Sequence, residues 1–293
     1  MKNFLLAAFS VVTASASMGA SAAAHYVPGV EGMQAASVPP PGMYYLGYLV
    51  NYNIDDLQAP GSSDSLPGSN MSGTVSALAN RLVYVTGTKF LGADYGMETI
   101  VPVVRKSLNF AGESSTGVGD IYLGPLVLGW HGRNWDAVAA AGMWLDTGNS
   151  DSPSKPGNGY KSTMLTGGGT YYFDAAKSWT GSALVRYELN SKNDHGFELG
   201  DQVTMEWGIG KSVGPVQVGL VGYDQWQSTK DSGTGASNHK SSRHAIGAEV
   251  VYPLMKEAGV MLKAAYYDEY YAKAGTNPET KGSTLRFSFV KAF

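Results

Sequence analysis

Near the end of the chain apolar and polar side chains alternate one for one. Leu285, Phe287, Phe289 and Phe293 share one parity, and Thr284, Arg286 and Ser288 take the other. A period of two marks a strand whose two faces meet different surroundings. The pattern returns in Val185, Tyr187 and Leu189 against Arg186 and Glu188, and in Val203, Met205, Trp207 and Ile209 against Thr204 and Glu206. From Gly42 onward it predicts about twelve strands: 42–53, 72–86, 92–105, 118–130, 134–147, 162–173, 179–190, 201–211, 215–227, 241–252, 258–271 and 282–293.

The connections between these strands alternate in length. Those at 54–71, 106–117, 148–161, 191–200, 228–240 and 272–281 are long and rich in Ser, Gly, Asp, Asn and Pro, as water-exposed loops are. Tight links at 87–91, 131–133, 174–178, 212–214 and 253–257 fall between them. An even number of strands with short turns at one end and longer loops at the other is the layout of an outer-membrane barrel. The expected fold is therefore all-β, a transmembrane antiparallel outer-membrane β-barrel over residues 42–293 with both termini on the periplasmic side. The barrel must close, because an open sheet would leave unpaired backbone groups in hydrocarbon. Trp130, Trp135, Trp179 and Tyr252, beside short turns, are expected to form an aromatic girdle, with Tyr44, Tyr45 and Tyr48 joining it.

Composition supports a wall with lipid on one side and water on the other. Charged residues make up 15% of the chain, against roughly 25% in soluble domains. No segment offers the roughly 18–20 continuous apolar residues that a spanning helix needs. The absence of cysteine removes thiolate catalysis and Cys-based metal sites, and a net charge of −3 supplies no basic footprint for nucleic acid.

The first 24 residues read as a cleaved signal peptide, with Lys2 in a positive n-region, an apolar run from Phe4 to Val12 and Ala22-Ala23-Ala24 as the cleavage site. Residues 25–41 lack a strand pattern and are rich in Pro and Gly. They form either a plug in the lumen or a periplasmic segment, for which Pro39-Pro40-Pro41 suits an extended spacer.

By parity, Glu98, Asp120, Arg186, Glu188, Glu206, Arg243, Glu249, Lys263, Glu269 and Arg286 point inward as candidate lumen-lining residues. Charges of both signs in a lumen pair across strands, select solutes or keep the interior hydrated. Catalytic alternatives are sparse. Asp146-Thr147-Gly148 matches the short aspartic-protease motif but lacks the second copy that a shared-proton dyad requires. Asp146, Asn149 and Asp151 offer oxygen ligands without the spacing of a calcium loop. His239 or His244 near Ser241 and Ser242 is the local candidate for a nucleophile with its base. The residues thus point to no enzyme, no cofactor and no metal.

Several segments resemble an outer-membrane family named for the meta-pathway of phenol degradation, which includes sphingosine-induced porin-like members. They are His25-Tyr26-Val27-Pro28-Gly29-Val30-Glu31-Gly32, Ala35-Ala36-Ser37-Val38-Pro39-Pro40-Pro41-Gly42 and Gly92-Ala93-Asp94-Tyr95-Gly96. Gly119-Asp120, Gly124-Pro125, Leu128-Gly129-Trp130-His131 and Gly219-Leu220-Val221-Gly222-Tyr223 complete the set. The resemblance implies a channel for passive uptake of small hydrophobic or aromatic compounds. The other classes kept open are a barrel enzyme hydrolysing lipids or peptides and a structural or adhesion barrel. Expected partners are outer-membrane lipid, a small hydrophobic solute and the outer-membrane assembly machinery, which the resemblance ties to the terminal Phe293. Oligomeric state is left open.

Overall fold

The computed structural model describes residues 24–68 and 71–293, so the expected signal peptide, Ala24 apart, lies outside the described residues. Twelve strands form one wall. They are β1 (Gly42–Gln58), β2 (Gly73–Phe90), β3 (Ala93–Leu108), β4 in two pieces (Glu113–Val118 and Ile121–His131), β5 (Trp135–Leu145) and β6 (Ser162–Tyr172). There follow β7 (Trp179–Asn190), β8 (Gln202–Val213), β9 (Val216–Gln227), β10 (Ser242–Met255), β11 (Val260–Lys273) and β12 (Glu279–Ala292). Each pairs antiparallel with its neighbours in sequence, and β1 pairs with β12 from Tyr44↔Ala292 to Gln58↔Glu279, which closes the barrel. Closure leaves no strand edge facing hydrocarbon.

The period-two pattern decides which side chains face out. On β12 Leu285, Phe287 and Phe289 are exposed, whereas Thr284, Arg286 and Ser288 are buried. The outward set covers the wall with the apolar surface that lipid requires. Trp135, Trp179 and Tyr252 are exposed near the short turns. The first strand corrects an expectation. Tyr45 packs outward against Phe289, with ring centroids 6.4 Å apart, but Tyr48 is buried and its hydroxyl accepts from Arg81 Nη1 at 3.2 Å. Tyr44 lines the interior and donates to the Pro40 carbonyl at 2.7 Å. Residues 44 and 48 share a parity that 45 does not, so the three tyrosines cannot share one girdle.

The loops are less unequal than the sequence suggests. β3 and β4 run past the expected 106–117 loop and meet in a turn of four residues, 109–112, while 274–278 is a turn of five. Backbone pairing continues there through residues such as Lys106 and Ser107 with Ser115 and Ser114. Ladder hydrogen bonds do not depend on side-chain polarity, so a hairpin of polar residues extends beyond the apolar band. The remaining connections at this end lean on each other: Gly61 N–H donates to Gly275 O at 2.9 Å, and Phe197–Glu198 pairs with Ser232–Gly233. At the other end one of the two-residue turns is Leu91-Gly92. Both residues have positive φ, 51° and 77°, as a two-residue turn matching the strand twist demands.

Candidate functional site

The ten candidate residues all turn toward the barrel interior, and most are fully enclosed. Arg286, Glu206, Glu188, Glu269 and Glu249 are at most 3% exposed. Charge at that depth is tolerated only when paired and hydrogen-bonded. Much of the pairing comes from residues 25–38, of which His25, Tyr26, Met33, Ala36 and Val38 are buried against the wall and Val27 is exposed.

This segment has no regular secondary structure, so its peptide N–H and C=O groups need partners from elsewhere. The wall supplies them. Glu188 accepts from the backbone N–H of His25 at 3.1 Å and of Tyr26 at 2.7 Å. Glu206 accepts from Glu31 N–H at 3.1 Å and from the Tyr26 hydroxyl. Glu249 accepts from Met33 N–H at 2.5 Å. Arg286 donates to the carbonyls of Gly29 at 2.9 Å and Val30 at 2.6 Å, and its other terminal nitrogen pairs with Glu249. Hydrogen bonds to ionised groups are roughly twice as strong as neutral ones, so this short irregular segment is held firmly.

Glu31 is the segment's own anchor. Its Oε1 lies 2.8 Å from Arg81 and 2.7 Å from Arg186, and Arg81 continues to Glu98 at 2.5 Å. The Arg186 guanidinium also covers the Tyr26 ring at 4.0 Å. Burial pushes the Glu31 carboxyl up, but Arg81, Arg186 and Lys263 outweigh it and hold it down to about 2. Apolar contacts use gaps left by inward glycines. Met33 occupies the space where side chains on Gly210 and Gly219 would stand, and a Cβ on Gly129 would lie 2.6 Å from Val38 Cβ.

His25 fills a socket of its own. Its ring stacks on Trp144 at 5.6 Å and meets Tyr160 edge-on at 4.5 Å. Nδ1 is 3.0 Å from Ser162 Oγ, and Nε2 is 3.2 Å from Asp120 Oδ2. The three side chains are those of a hydrolase triad, but the ring nitrogens are reversed relative to it and all three residues are buried. The arrangement clamps the segment.

The structure thus joins Asp120, Arg186, Glu188, Glu206, Glu249 and Arg286 directly to the segment, and Glu98 through Arg81. Arg243 and Glu269 form a separate network toward the long loops, 3.4 Å apart and extended by an Arg243–Glu279 pair. Lys263 lines a cavity of about 780 Å³ at the short-turn end, bounded by Val38, Pro40, Leu46, Val83, Val127 and Val138. Sequence reasoning passed over Arg81, although it shares the inward parity of Val83 and Val85. It gave no role to His25, Tyr26 or Glu31, because an irregular segment has no parity to read.

The other candidates do not assemble into chemistry. Asp120 Oδ1 accepts from the N–H groups of Thr147 at 3.0 Å and Gly148 at 2.8 Å, so Asp146-Thr147-Gly148 enters a tied-down turn. Asn149 and Asp151 bond each other in a local turn. His244 shares the outward parity of Ile246 and bonds Asp224 at 2.7 Å, while Ser241 bonds Gln227. Among the described residues no group of three or more His, Cys, Asp or Glu is placed to hold a metal.

A closed twelve-strand barrel with an apolar outer belt and a charged, segment-filled interior is an outer-membrane-type β-barrel. The chain belongs to the family described as “Putative MetA-pathway of phenol degradation”, whose model matches residues 54–287. Its fold is similar to that of an outer membrane channel from Pseudomonas putida F1, with 16% identity, 92% of this chain and 100% of that one covered, and a TM-score of 0.76. It is more distantly similar to the translocator domain of the autotransporter NalP from Neisseria meningitidis, with 11% identity, 87% and 90% covered, and a TM-score of 0.48. No curated protein matches the chain.

Proposed function

We propose that the protein is an outer-membrane channel for passive uptake of small hydrophobic or aromatic compounds, with residues 25–41 acting as a hatch in its lumen. One observation carries the reading: a closed barrel with a hydrogen-bonded segment against its inner wall, beside a cavity of about 780 Å³ lined by apolar side chains such as Val83, Val127 and Val138 and by charged ones such as Arg81, Glu98 and Lys263. A cavity of that size suits one small molecule, with apolar walls to hold a ring and a few polar groups to orient it. Family membership adds support, since the family takes its name from phenol degradation.

In this reading the chain is exported by cleavage after Ala24, the assembly machinery recognises the β12 end at Phe293, and both termini face the periplasm. A solute enters among the long loops and passes Arg243 and Glu269. It moves on when the segment loosens from Glu188, Glu206, Glu249 and Arg286. It then crosses the cavity beside Lys263 toward the periplasm. No cofactor or energy source is needed for such diffusion.

Liposome-swelling and planar-bilayer recordings on the intact protein and on a chain lacking residues 25–38 test the proposal. Slow, selective passage of small aromatic solutes through the intact barrel and a much larger conductance after the deletion are expected. If neither form passes any solute, the channel reading falls.

A further inference from the structure

The carboxylates around the segment differ in one respect. Glu31 and Glu98 have Arg81 within ion-pair distance, Glu206 has Arg186 at 4.0 Å, and Glu249 has Arg286. Glu188, 2% exposed, has no lysine or arginine within 4.0 Å among the described residues. Its two carboxylate oxygens instead meet two backbone nitrogens, those of His25 and Tyr26. A buried carboxylate with no cation is costly to keep ionised. The nitrogen at 3.1 Å from its Oε2 belongs to the residue immediately after the A-x-A site.

We propose that Glu188 is a buried receptor for the chain's own α-ammonium group, which export creates by cutting the bond between Ala24 and His25. The proposal rests on reading residues 1–24 as a cleaved signal. Hydrolysis of that peptide bond consumes one water, leaves a carboxylate on Ala24 and frees the amino group of His25. That group has an ordinary pKa of about 7.7–8.0, so it takes up a proton at neutral pH. The nitrogen already donates to Glu188 as an amide, and processing turns the same contact into a charge-paired one. The His25 ring, held by Trp144, Tyr160, Ser162 and Asp120, fixes the nitrogen at the carboxylate. Removal of the leader therefore both releases the chain and completes the docking of the hatch.

The test compares the exported protein with a chain made without its leader, starting Met-His25 and refolded in detergent, each with and without Glu188→Gln. Intact-mass measurement reads the first residue of the exported form. Retained gel-shift on heating shows that each barrel is folded, and amide exchange of residues 26–33 reads docking. In the exported protein Glu188→Gln is expected to speed exchange by about tenfold or more, as loss of a buried charge pair should. In the Met-extended chain, whose ammonium lies one residue away, the same change is expected to have less than about threefold effect, and exchange there is already fast. Equal effects in both forms overturn the ion pair while leaving the export reading intact. An exported chain that does not begin at His25 overturns the processing site, and the proposal with it. Should Glu188→Gln not fold, the comparison of the two wild-type forms decides alone, and equal exchange rates refute the pairing.

Discussion

The Arg243–Glu269–Glu279 network draws every partner from the wall: Tyr52 donates to Glu269 at 2.7 Å, Tyr223 at 2.8 Å and Gly282 N–H at 2.8 Å. The central network is built differently. Glu188, Glu206, Glu249 and Arg286 spend their hydrogen bonds on the backbone of a segment that precedes the first strand. The first network is complete once the barrel closes. The second is complete only when the segment is docked, and undocking would leave several charges in the lumen without their partners. Stability of the barrel and occupancy of the lumen therefore rest on separate sets of charges, and they are separable by experiment.

The largest expected effect comes from removing the fully buried Arg286. Arg286→Ala strips Glu249 of its cation and two segment carbonyls of their donor, and is expected to weaken docking by about 3–5 kcal/mol. Protease nicking of residues 25–38 should become fast while the barrel keeps its heat-dependent gel shift. Arg243→Ala should do the reverse, lowering the unfolding temperature with the segment still protected. If both variants affect the same readout, the two networks are one.

Gly129→Ala comes next. The new methyl would stand 2.6 Å from Val38 Cβ, and the three atoms nearest to it all belong to Val38. The segment must shift while the wall need not, at a cost of about 1–3 kcal/mol, visible as raised single-channel conductance. Unchanged conductance would mean that Val38 does not hold the hatch.

A smaller and graded effect is expected from acid. The Glu31 carboxyl is held at about 2 against an ordinary 4.5, so its contribution to docking is complete above pH 4.5 and is lost as pH falls toward 2. Conductance recorded from pH 6 down to pH 3 should rise below 4.5, and Glu31→Gln should remove that rise. A rise unaltered in Glu31→Gln would assign the acid response to another group.

The twelve strands were legible because alternation is local. Arg186 and Glu188 are inward because Val185, Tyr187 and Leu189 are outward, and no distant residue needs to be known. The same rule, applied strictly, separates Tyr44 and Tyr48 from Tyr45 and adds Arg81 to the inward set. Loop lengths were less legible, since the polar residues around 106–117 and 272–281 look alike whether they stand in a loop or in a hairpin extended into water.

What the sequence by itself determined is the wall: its strand number, its two faces and its closure, all of which follow from a period of two and from the backbone's need for partners in lipid. What only the tertiary structure decided is how those charges are used. Tyr26 meets Glu188 from 162 positions away, and Arg286 reaches Gly29 across 257. Contacts of that separation exist only after the barrel has closed around the segment, and an irregular stretch of Pro and Gly carries no periodicity that could announce them.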